Sequence, residues 1–266
     1  MRAIDLAAHM RQVGTWVDWG QTVDTFKAGD PQAEVRGIAV SWMSSLAALR
    51  EAIRCGCNLF VTHEPTFYAH REDDPDVGRD ANYQEKCKLL EESGLIVYRC
   101  HDVWDRMPEI GIRDSWIRGL GYGGRPFVED EHHWFRVVDI SETTLGALAG
   151  EVAARLAPLG QPGVQLIGDP MQPVRRLGLG IGATGSIQVF RLFRSLGADA
   201  CIATEVTYWR EIRWAMDLGM GVLVCEHAVS ELWGIEELAR YIAHLFPGIP
   251  VVHIPTPCAY QVVTAS

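Results

Sequence analysis

The sequence has no long apolar segment. No stretch of its 266 residues approaches the ~18 uninterrupted apolar residues of a membrane span. Residues 1–5, Met-Arg-Ala-Ile-Asp, carry an early acid, and no apolar core with a cleavage site follows them. These absences exclude a membrane-spanning protein and a secretory leader, so we expect a cytoplasmic protein. Because 48% of the residues are hydrophobic, the chain can bury a substantial core.

The sequence also lacks clusters of basic residues. It has 24 Lys and Arg against 34 Asp and Glu, a formal net charge of −10. Nonspecific nucleic-acid binding depends on cations that neutralise phosphates, so this class of function is disfavoured. A small phosphorylated substrate stays compatible with an acidic protein if a bound metal supplies the positive charge.

The seven cysteines form no Cys-x-x-Cys pair. Cys55 and Cys57 are one residue too close for that motif, while Cys100 and Cys225 lie in apolar runs typical of buried strands. An odd number of scattered cysteines indicates small buried hydrophobic residues in a reducing compartment rather than a disulfide framework.

What the sequence does contain is an internal repeat, residues 35–105 against 174–231. Each copy begins with a short apolar run and continues into an amphipathic segment with helical spacing. A glycine, a turn residue, an apolar strand and a glutamate follow in both, at 56–64 and 197–205. Alternating strands and helices predict parallel pairing, and therefore an α/β protein made of two related sandwich halves.

Each copy ends on a further apolar strand, a cysteine and a histidine with an acid four residues later. The pairs are His101 with Asp105 and His227 with Glu231. His63 and Glu64 follow the preceding strand of the first copy. Because the carboxyl ends of parallel strands present ligands in open α/β sheets, we expect these side chains to face a cleft between the halves.

The predicted domain boundaries are 1–125 and 126–266, with the C-terminal segment able to pack back on the first half. Between the repeats we predict a strand at 133–140, a helix from an N-cap at Ser141 to Leu156, and a strand at 164–167. Residues 70–80 predict an exposed loop.

The side chains at the strand ends suggest a metal centre. Imidazole with carboxylate suits Zn, Fe, Mn or Ni, and the ligands outnumber the four of a tetrahedral site, which favours two ions. A histidine after a strand is more often only a satisfied polar residue, and the repetition is what raises the metal interpretation above that. We assign the remaining histidines to surface or structural roles: His9, His70, His132, His133, His244 and His253. Tyr208 and Trp209 either bind substrate or pack.

Five segments of the chain resemble the Nif-three-like family, also called GTP cyclohydrolase I type 2-like proteins. They are Trp16-Val17-Asp18-Trp19-Gly20, His63-Glu64-Pro65-Thr66-Phe67, His101-Asp102-Val103-Trp104-Asp105, the glycine-rich 180–185 with Ala203-Thr204-Glu205, and Glu226-His227-Ala228-Val229-Ser230-Glu231. The resemblance runs along almost the whole chain.

The resemblance implies a dinuclear metal centre and a ring-shaped homo-oligomer, commonly a hexamer. By position, the ligands are His63, Glu64, Asp105, His227 and Glu231, with His101 nearby. Glu64 stands where the family usually has a second histidine, which changes the charge and metal preference of the site. Tyr208 and Trp209 stand where many members have histidine.

Three functions remain open from the sequence. The first is a dinuclear metal-dependent hydrolase acting on a nucleotide or pterin-like C–N or P–O bond, with His101 as general acid or base and Glu205 orienting water or substrate. The second is metal delivery or storage. The third is a regulatory interaction protein whose metal is structural.

Overall fold

The computed structural model describes residues 1–264. Its strands are β1 (Phe26–Ala28), β2 (Ile38–Ser41), β3 (Leu59–Thr62), β4 (Ile96–Arg99), β5 (Phe127–Glu129), β6 (Arg136–Thr144), β7 (Gln165–Ile167), β8 (Pro173–Leu179), β9 (Ala200–Ala203), β10 (Gly221–Val224) and β11 (Val251–His253). Its α-helices are α1 (Ala3–Val13), α2 (Leu46–Arg54), α3 (Ala81–Ser93), α4 (Asp102–Asp105), α5 (Ile112–Gly119), α6 (Leu145–Leu156), α7 (Ile187–Ser195), α8 (Arg213–Asp217) and α9 (His227–Leu245). None of these helices is both long and apolar enough to span a bilayer.

The chain forms two compact units. Unit 1 comprises Met1–Ile112 with Gly234–Thr256, and unit 2 comprises Arg113–Trp233 with the C-terminal residues from Pro257. This division differs from the predicted boundary at 125/126. Residues 234–256 belong to unit 1 because β11 pairs with β2, and residues 113–125 belong to unit 2.

Unit 1 is built on a five-stranded sheet of order β1-β4-β3-β2-β11. β2, β3, β4 and β11 run parallel, and β1 lies antiparallel along β4. Every residue of the three central strands is buried, as expected for strands covered on both faces. Leu49 of α2 packs with Phe60 and Val97 in the core.

Unit 2 is built on a six-stranded sheet of order β5-β6-β8-β9-β10-β7. β8, β9 and β10 are parallel, whereas β7 lies antiparallel to β10 and β6 antiparallel to β8. Phe190 and Phe193 of α7 pack against Cys201 and Val222 in the core of this unit.

The two parallel cores share one strand order, which confirms the predicted repeat. β2-β3-β4 and β8-β9-β10 are consecutive and parallel, with the second strand in the middle. Both following helices begin in the same way, since Ser45 accepts from the Ala48 N–H and Ser186 from the Val189 N–H. The correspondence extends beyond the predicted repeat, because a helix and an antiparallel edge strand precede each core: α1–β1 and α6–β7.

The segment between the repeats departs from the prediction in the bounds of its strand and the start of its helix. The strand predicted at 133–140 is β6, Arg136–Thr144. The helix begins after Thr144, whose side chain accepts from the Ala147 N–H, and not after Ser141. Ser141 lies inside β6, because the β-branched Thr143 and Thr144 continue the ladder to β8. The predicted end at Leu156 and the strand before Ile167 are confirmed.

The predicted loop at 70–80 is exposed and contains only a short 3-10 turn, Val77–Arg79. The seven cysteines are all free, and Cys100 and Cys225 are buried. Burial raises the pKa of both thiols, that of Cys225 to about 12. Their predicted role as small buried hydrophobic residues agrees with this placement.

Candidate metal centre

In unit 1 the polar side chains follow β3 and β4. His63 and Glu64 come directly after β3, and His101 follows β4 and precedes α4. Asp24 holds the segment after β4 in place. Its carboxylate accepts from the backbone N–H groups of His101 and Asp102 at 2.8 Å and of Val103 at 3.0 Å. The result is a rigid strand end from which the side chains project.

His63 is completely buried and held at both ring nitrogens. Its Nδ1 lies 3.2 Å from the carbonyl oxygen of Cys100, and its Nε2 lies 3.4 Å from Asp105 Oδ1. Its ring stacks on His101, with centroids 4.5 Å apart and planes 14° from parallel. Since the carbonyl can only accept, Nδ1 carries a proton, and Nε2 is the ring nitrogen that faces the carboxylate.

His101 lies among three carboxylates. Its Nδ1 is 3.0 Å from Asp102 Oδ1 and 3.3 Å from Asp105 Oδ2, and its Nε2 is 3.9 Å from Glu64 Oε1. Burial lowers the pKa of His101, but Asp105, the bond to Asp102 and Glu64 outweigh it and raise the pKa to about 9. This end of unit 1 therefore favours positive charge.

Ligand atoms in unit 1 are close enough to share an ion. The donor atoms of His63, Glu64 and His101 lie within 4.8 Å of one another, as do those of His101, Asp102 and Asp105. Asp102 was not among the predicted ligands, although it directly follows His101. Its second oxygen accepts from the Thr22 hydroxyl at 2.8 Å, which commits it to holding the strand end together.

Two further residues of this site were missed by the sequence reasoning. Arg99, the last residue of β4, is fully buried and donates to the His63 carbonyl at 2.9 Å. His70, assigned above to the surface or a structural role, is exposed, yet its ring lies 5.1 Å from that of His101, edge to face. Arginine inside an apolar strand was the available signal for the first. Nothing in the sequence marked the second, because it lies in a loop.

In unit 2 the corresponding site is sparser. Glu205 follows β9, and its Oε1 lies 2.6 Å from His227 Nδ1. His227 Nε2 in turn lies 3.3 Å from Glu231 Oε1, one helical turn along α9. Gly182 comes so close that a Cβ there would lie 2.6 Å from Glu231 Oε1, at a backbone φ of +60°. Gly185 likewise has no room for a side chain, because a Cβ would overlap the Glu205 carbonyl oxygen.

The register of the ladders corrects one predicted equivalence. Glu64 and Glu205 occupy matching positions, two residues after Thr62 and Ala203, which pair with Arg99 and Val224. Counting from the same pairs, the next strand ends place His101 opposite Glu226, not opposite His227. The sequence shows this offset as the extra residue Glu226 between Cys225 and His227, and it puts His101 just before α4 but His227 inside the first turn of α9.

Tyr208 and Trp209 lie on a π-helical turn, Tyr208–Ile212, and do not pack into the core. They are 52% and 75% exposed, and the Tyr208 hydroxyl bonds to the side chain of Gln165. Their exposure removes the packing interpretation, and contact with a substrate stays a prediction.

A model of the DUF34/NIF3 (NGG1p interacting factor 3) family matches residues 1–257. This chain belongs to the DUF34/NIF3 family. It is 24% identical over 219 residues, 82% of this chain and 79% of the relative, to a Deinococcus radiodurans protein named GTP cyclohydrolase 1 type 2 homolog. The family resemblance in the motifs is thereby confirmed.

Solved structures share the fold of this DUF34/NIF3 chain. A Bacillus cereus protein related to NIF3 matches with a TM-score of 0.80 at 12% identity, covering 99% of both chains. A hypothetical protein of Staphylococcus aureus matches with a TM-score of 0.79 at 15% identity, also over 99% of both chains. Together with the two mixed sheets, these matches establish the α/β fold.

The donor atoms of this DUF34/NIF3 chain fit a divalent ion in each unit. Two ligand atoms ~2.1 Å from one ion at a tetrahedral angle lie ~3.4 Å apart. The measured separations are 3.4 Å between His63 Nε2 and Asp105, and 3.3 Å between His227 Nε2 and Glu231. In each pair a ring nitrogen faces a carboxylate oxygen at the separation expected of two ligands of one ion.

Proposed function

We propose that this protein is a metal-dependent hydrolase with two divalent ions, acting on a C–N or P–O bond of a small nucleotide-like or pterin-like substrate. The ligands in this proposal are His63, Glu64 and Asp105 from unit 1 with His227 and Glu231 from unit 2. When bound, a pair of such ions supplies Lewis acidity and makes water nucleophilic at neutral pH.

One observation carries the proposal. Each unit holds a histidine by its Nδ1, through the Cys100 carbonyl for His63 and through Glu205 for His227. In each, the Nε2 faces a carboxylate oxygen at 3.3–3.4 Å. A ligating histidine is usually oriented in this way, with its other nitrogen donating to a carbonyl or carboxylate. Its recurrence in two separate strand ends favours metal binding over a structural ion pair.

The remaining side chains have roles that follow from their contacts. His101 moves a proton between substrate and solvent, because three carboxylates support its charged form. Glu205 orients His227 and stays half exposed, so it also meets a substrate. Tyr208 and Trp209 offer exposed aromatic faces on which a flat heterocycle stacks.

The substrate class rests on two supports. The name of the Deinococcus radiodurans relative, GTP cyclohydrolase 1 type 2 homolog, makes a guanine nucleotide the first substrate to screen. The net charge of −10 means that a phosphorylated substrate depends on the ions for attraction. A homo-oligomeric ring, as the motif resemblance implies, is part of the same proposal, and light scattering tests it.

The test begins with elemental analysis of protein purified without added metal or chelator. We expect about two equivalents of one or more of Zn, Fe, Mn and Ni, and sharp loss in His227→Ala with the fold retained. His244→Ala is the matched control, since His244 lies exposed in the last turn of the same helix. Unchanged metal content in His227→Ala contradicts the ligand assignment.

A substrate screen with the native metal restored then separates the functions. Turnover of a nucleotide or pterin supports the hydrolase. Metal that transfers readily to an acceptor protein without turnover supports delivery. Metal that neither exchanges nor supports turnover indicates a structural ion in a regulatory protein.

A further inference from the structure

Arg99 is a charged residue in a fully buried strand, where apolar residues are usual. It ends β4, a strand whose residues are all buried, and it pairs in the ladder with Thr62 of β3. Unit 2 has Val224 at the matching position, paired with Ala203. A fully buried arginine is rare unless a partner balances its charge, so the reason for its presence must lie in its contacts.

The contacts of Arg99 are mostly neutral. Nε donates to the His63 carbonyl at 2.9 Å, and the other nitrogens donate to the carbonyl and Nδ1 of His70. The nearest charged partner is Glu64, whose Oε2 lies 3.7 Å from the guanidinium. Burial lowers the pKa of Arg99, and Glu64 is the strongest of the carboxylates that oppose this effect.

Glu64 faces in two directions. Its Oε2 lies toward Arg99, while its Oε1 lies 3.9 Å from His101 Nε2, toward the histidines. The buried guanidinium thus stands beside the carboxylate that faces the histidines, and the charges of the two groups sum to zero.

We propose that Arg99 and Glu64 act as one neutral pair that presents a carboxylate oxygen to the metal and sets the metal preference of unit 1. The guanidinium cancels the charge of the carboxylate and fixes its orientation, so that one oxygen is presented beside His63 and His101. Carboxylate oxygen suits Mn and Mg, whereas imidazole suits Zn, Ni and Cu. The pair therefore shifts selectivity toward the harder ions. This inference rests on the proposed metal-binding function, and Arg99 is a positioning residue within it.

The experiment is a double-mutant cycle with Glu64→His, Arg99→Met and both together. In metal-free protein each single change removes one member of the Arg99–Glu64 pair, so each should lower Tm by about 5 °C or more. The Tm of the double variant should fall by clearly less than the sum of the decreases in the two single variants. An additive loss overturns the inference.

Metal preference gives the second readout, from the Kd values of Mn²⁺ and Zn²⁺ measured by competition with a chelating dye. The double variant should shift the ratio of the two Kd values at least ~10-fold toward Zn²⁺. Glu64→His alone should bind both ions more weakly, because the guanidinium then repels cations without a counter-charge. An unchanged ratio in the double variant overturns the inference.

Two controls separate charge from shape. Arg99→Lys keeps the charge and should keep the metal preference while losing some stability. Arg136→Met removes an arginine from the half-buried ion pairs with Asp114 and Glu129 in unit 2, and it should combine additively with Glu64→His. Coupling of equal size in that control contradicts a specific pair.

A near-isosteric change covers the case in which Arg99→Met does not fold. Glu64→Gln removes only the charge, and in metal-free protein it should lower Tm about as much as Glu64→His. An unchanged Tm in Glu64→Gln would contradict the proposed coupling between Arg99 and Glu64. If the wild type binds neither Mn²⁺ nor Zn²⁺, the proposed function fails, while the metal-free comparison still decides whether Arg99 and Glu64 are coupled.

Discussion

Units 1 and 2 contain three parallel strands in the same order, but different side chains follow those strands. β3 of unit 1 leads to His63 and Glu64, whereas the matching residues after β9 are Thr204 and Glu205. Around the first pair lie two more histidines and a buried arginine, and around the second lies one histidine. The comparison shows that the buried strands conserve the scaffold between the copies, while the first residues after each strand carry the chemistry.

A finer difference concerns how each unit holds the end of its third strand. In unit 1 the Asp24 carboxylate accepts three backbone N–H bonds at the start of α4. At the matching place in unit 2, the Gln161 side chain accepts one bond, from the Glu226 N–H at 3.0 Å. Both residues precede the antiparallel edge strand of their own unit, so their positions correspond. Asp24 makes three backbone hydrogen bonds there and Gln161 makes one.

This difference should be visible in stability. Asp24→Ala is expected to lower the free energy of unfolding by about 3 kcal/mol, because charged hydrogen bonds are lost and buried N–H groups stay unsatisfied. Gln161→Ala should cost about 1 kcal/mol. Urea denaturation of metal-free protein measures both, and equal losses would show that the two residues support their strand ends equally.

The close approach of Gly182 to Glu231 can be tested against a glycine of unit 1. Gly182→Ala should lower the free energy of unfolding by about 2–3 kcal/mol, because of the positive φ and the contact of the new Cβ with the Glu231 carboxylate. The same contact should displace Glu231, a proposed metal ligand. Gly94→Ala is the matched control, since Gly94 has a φ of +64° and nothing within 4 Å of the added Cβ. Gly94→Ala should lower the free energy of unfolding by about 1 kcal/mol and leave the metal content unchanged. Equal metal loss in both variants would refute a specific role for the contact at Gly182.

Glu205 tests whether unit 2 relies on a charged group to orient its histidine. Glu205→Gln should keep the shape and weaken metal binding ~10-fold, because the partner of His227 Nδ1 loses its charge. Isothermal titration with the native metal measures this effect. Glu142→Gln is the control, because Glu142 is an exposed acid of the same unit that pairs with Arg175. Metal affinity equal to that of the wild type would rule out this use of Glu205.

A pH-dependent prediction concerns Lys86, a buried lysine of unit 1. It is fully buried, and its ammonium donates to the Thr66 carbonyl at 2.5 Å and lies over the Tyr68 ring. Burial lowers the pKa of Lys86 to about 8, although Glu72 and Cys87 oppose it. From about pH 8 up to its ordinary value of 10.5, the unfolded chain binds more protons at this lysine than the folded protein.

Stability should therefore rise with pH across that window by the contribution of Lys86. Lys86→Met removes this contribution, so the difference in unfolding free energy between wild type and variant should grow in favour of the wild type above about pH 8. Denaturation midpoints at pH 7 and 10 measure it. A constant difference would mean that Lys86 titrates normally.

Sequence patterns predicted the parallel cores well because they depend on buried apolar runs. The strands ending at Thr62, Ala203 and Val224 are short, fully buried and bounded by glycine or polar residues, which is a strong local signal. The edge strand β1 was not predicted, since its three partly buried residues have no clear period, and β7 was predicted as a strand but not as part of the repeat. The repeat was consequently recognised only from its second strand onward.

The candidate site was predictable where chemistry follows a strand and not where it depends on register. His63 and Glu64 were predicted because a polar residue after an apolar run stands out, and Glu231 because it follows His227 by one helical turn. The one-residue offset between His101 and His227 is visible in the sequence as the extra Glu226 after Cys225, but only the ladders show that Glu226 is the residue opposite His101. His70 reaches His101 through the path of a loop, which no spacing rule describes.

The pairing of β11 with β2 has a consequence for how the chain is made. Residues 251–253 leave the ribosome well after their partners at 38–40. Until then β2 is an open edge of a parallel sheet, able to pair with another nascent chain. The sheet of unit 2 is complete earlier, because its strands all lie between residues 127 and 224. During synthesis, unit 1 is thus the half whose sheet stays open for longer.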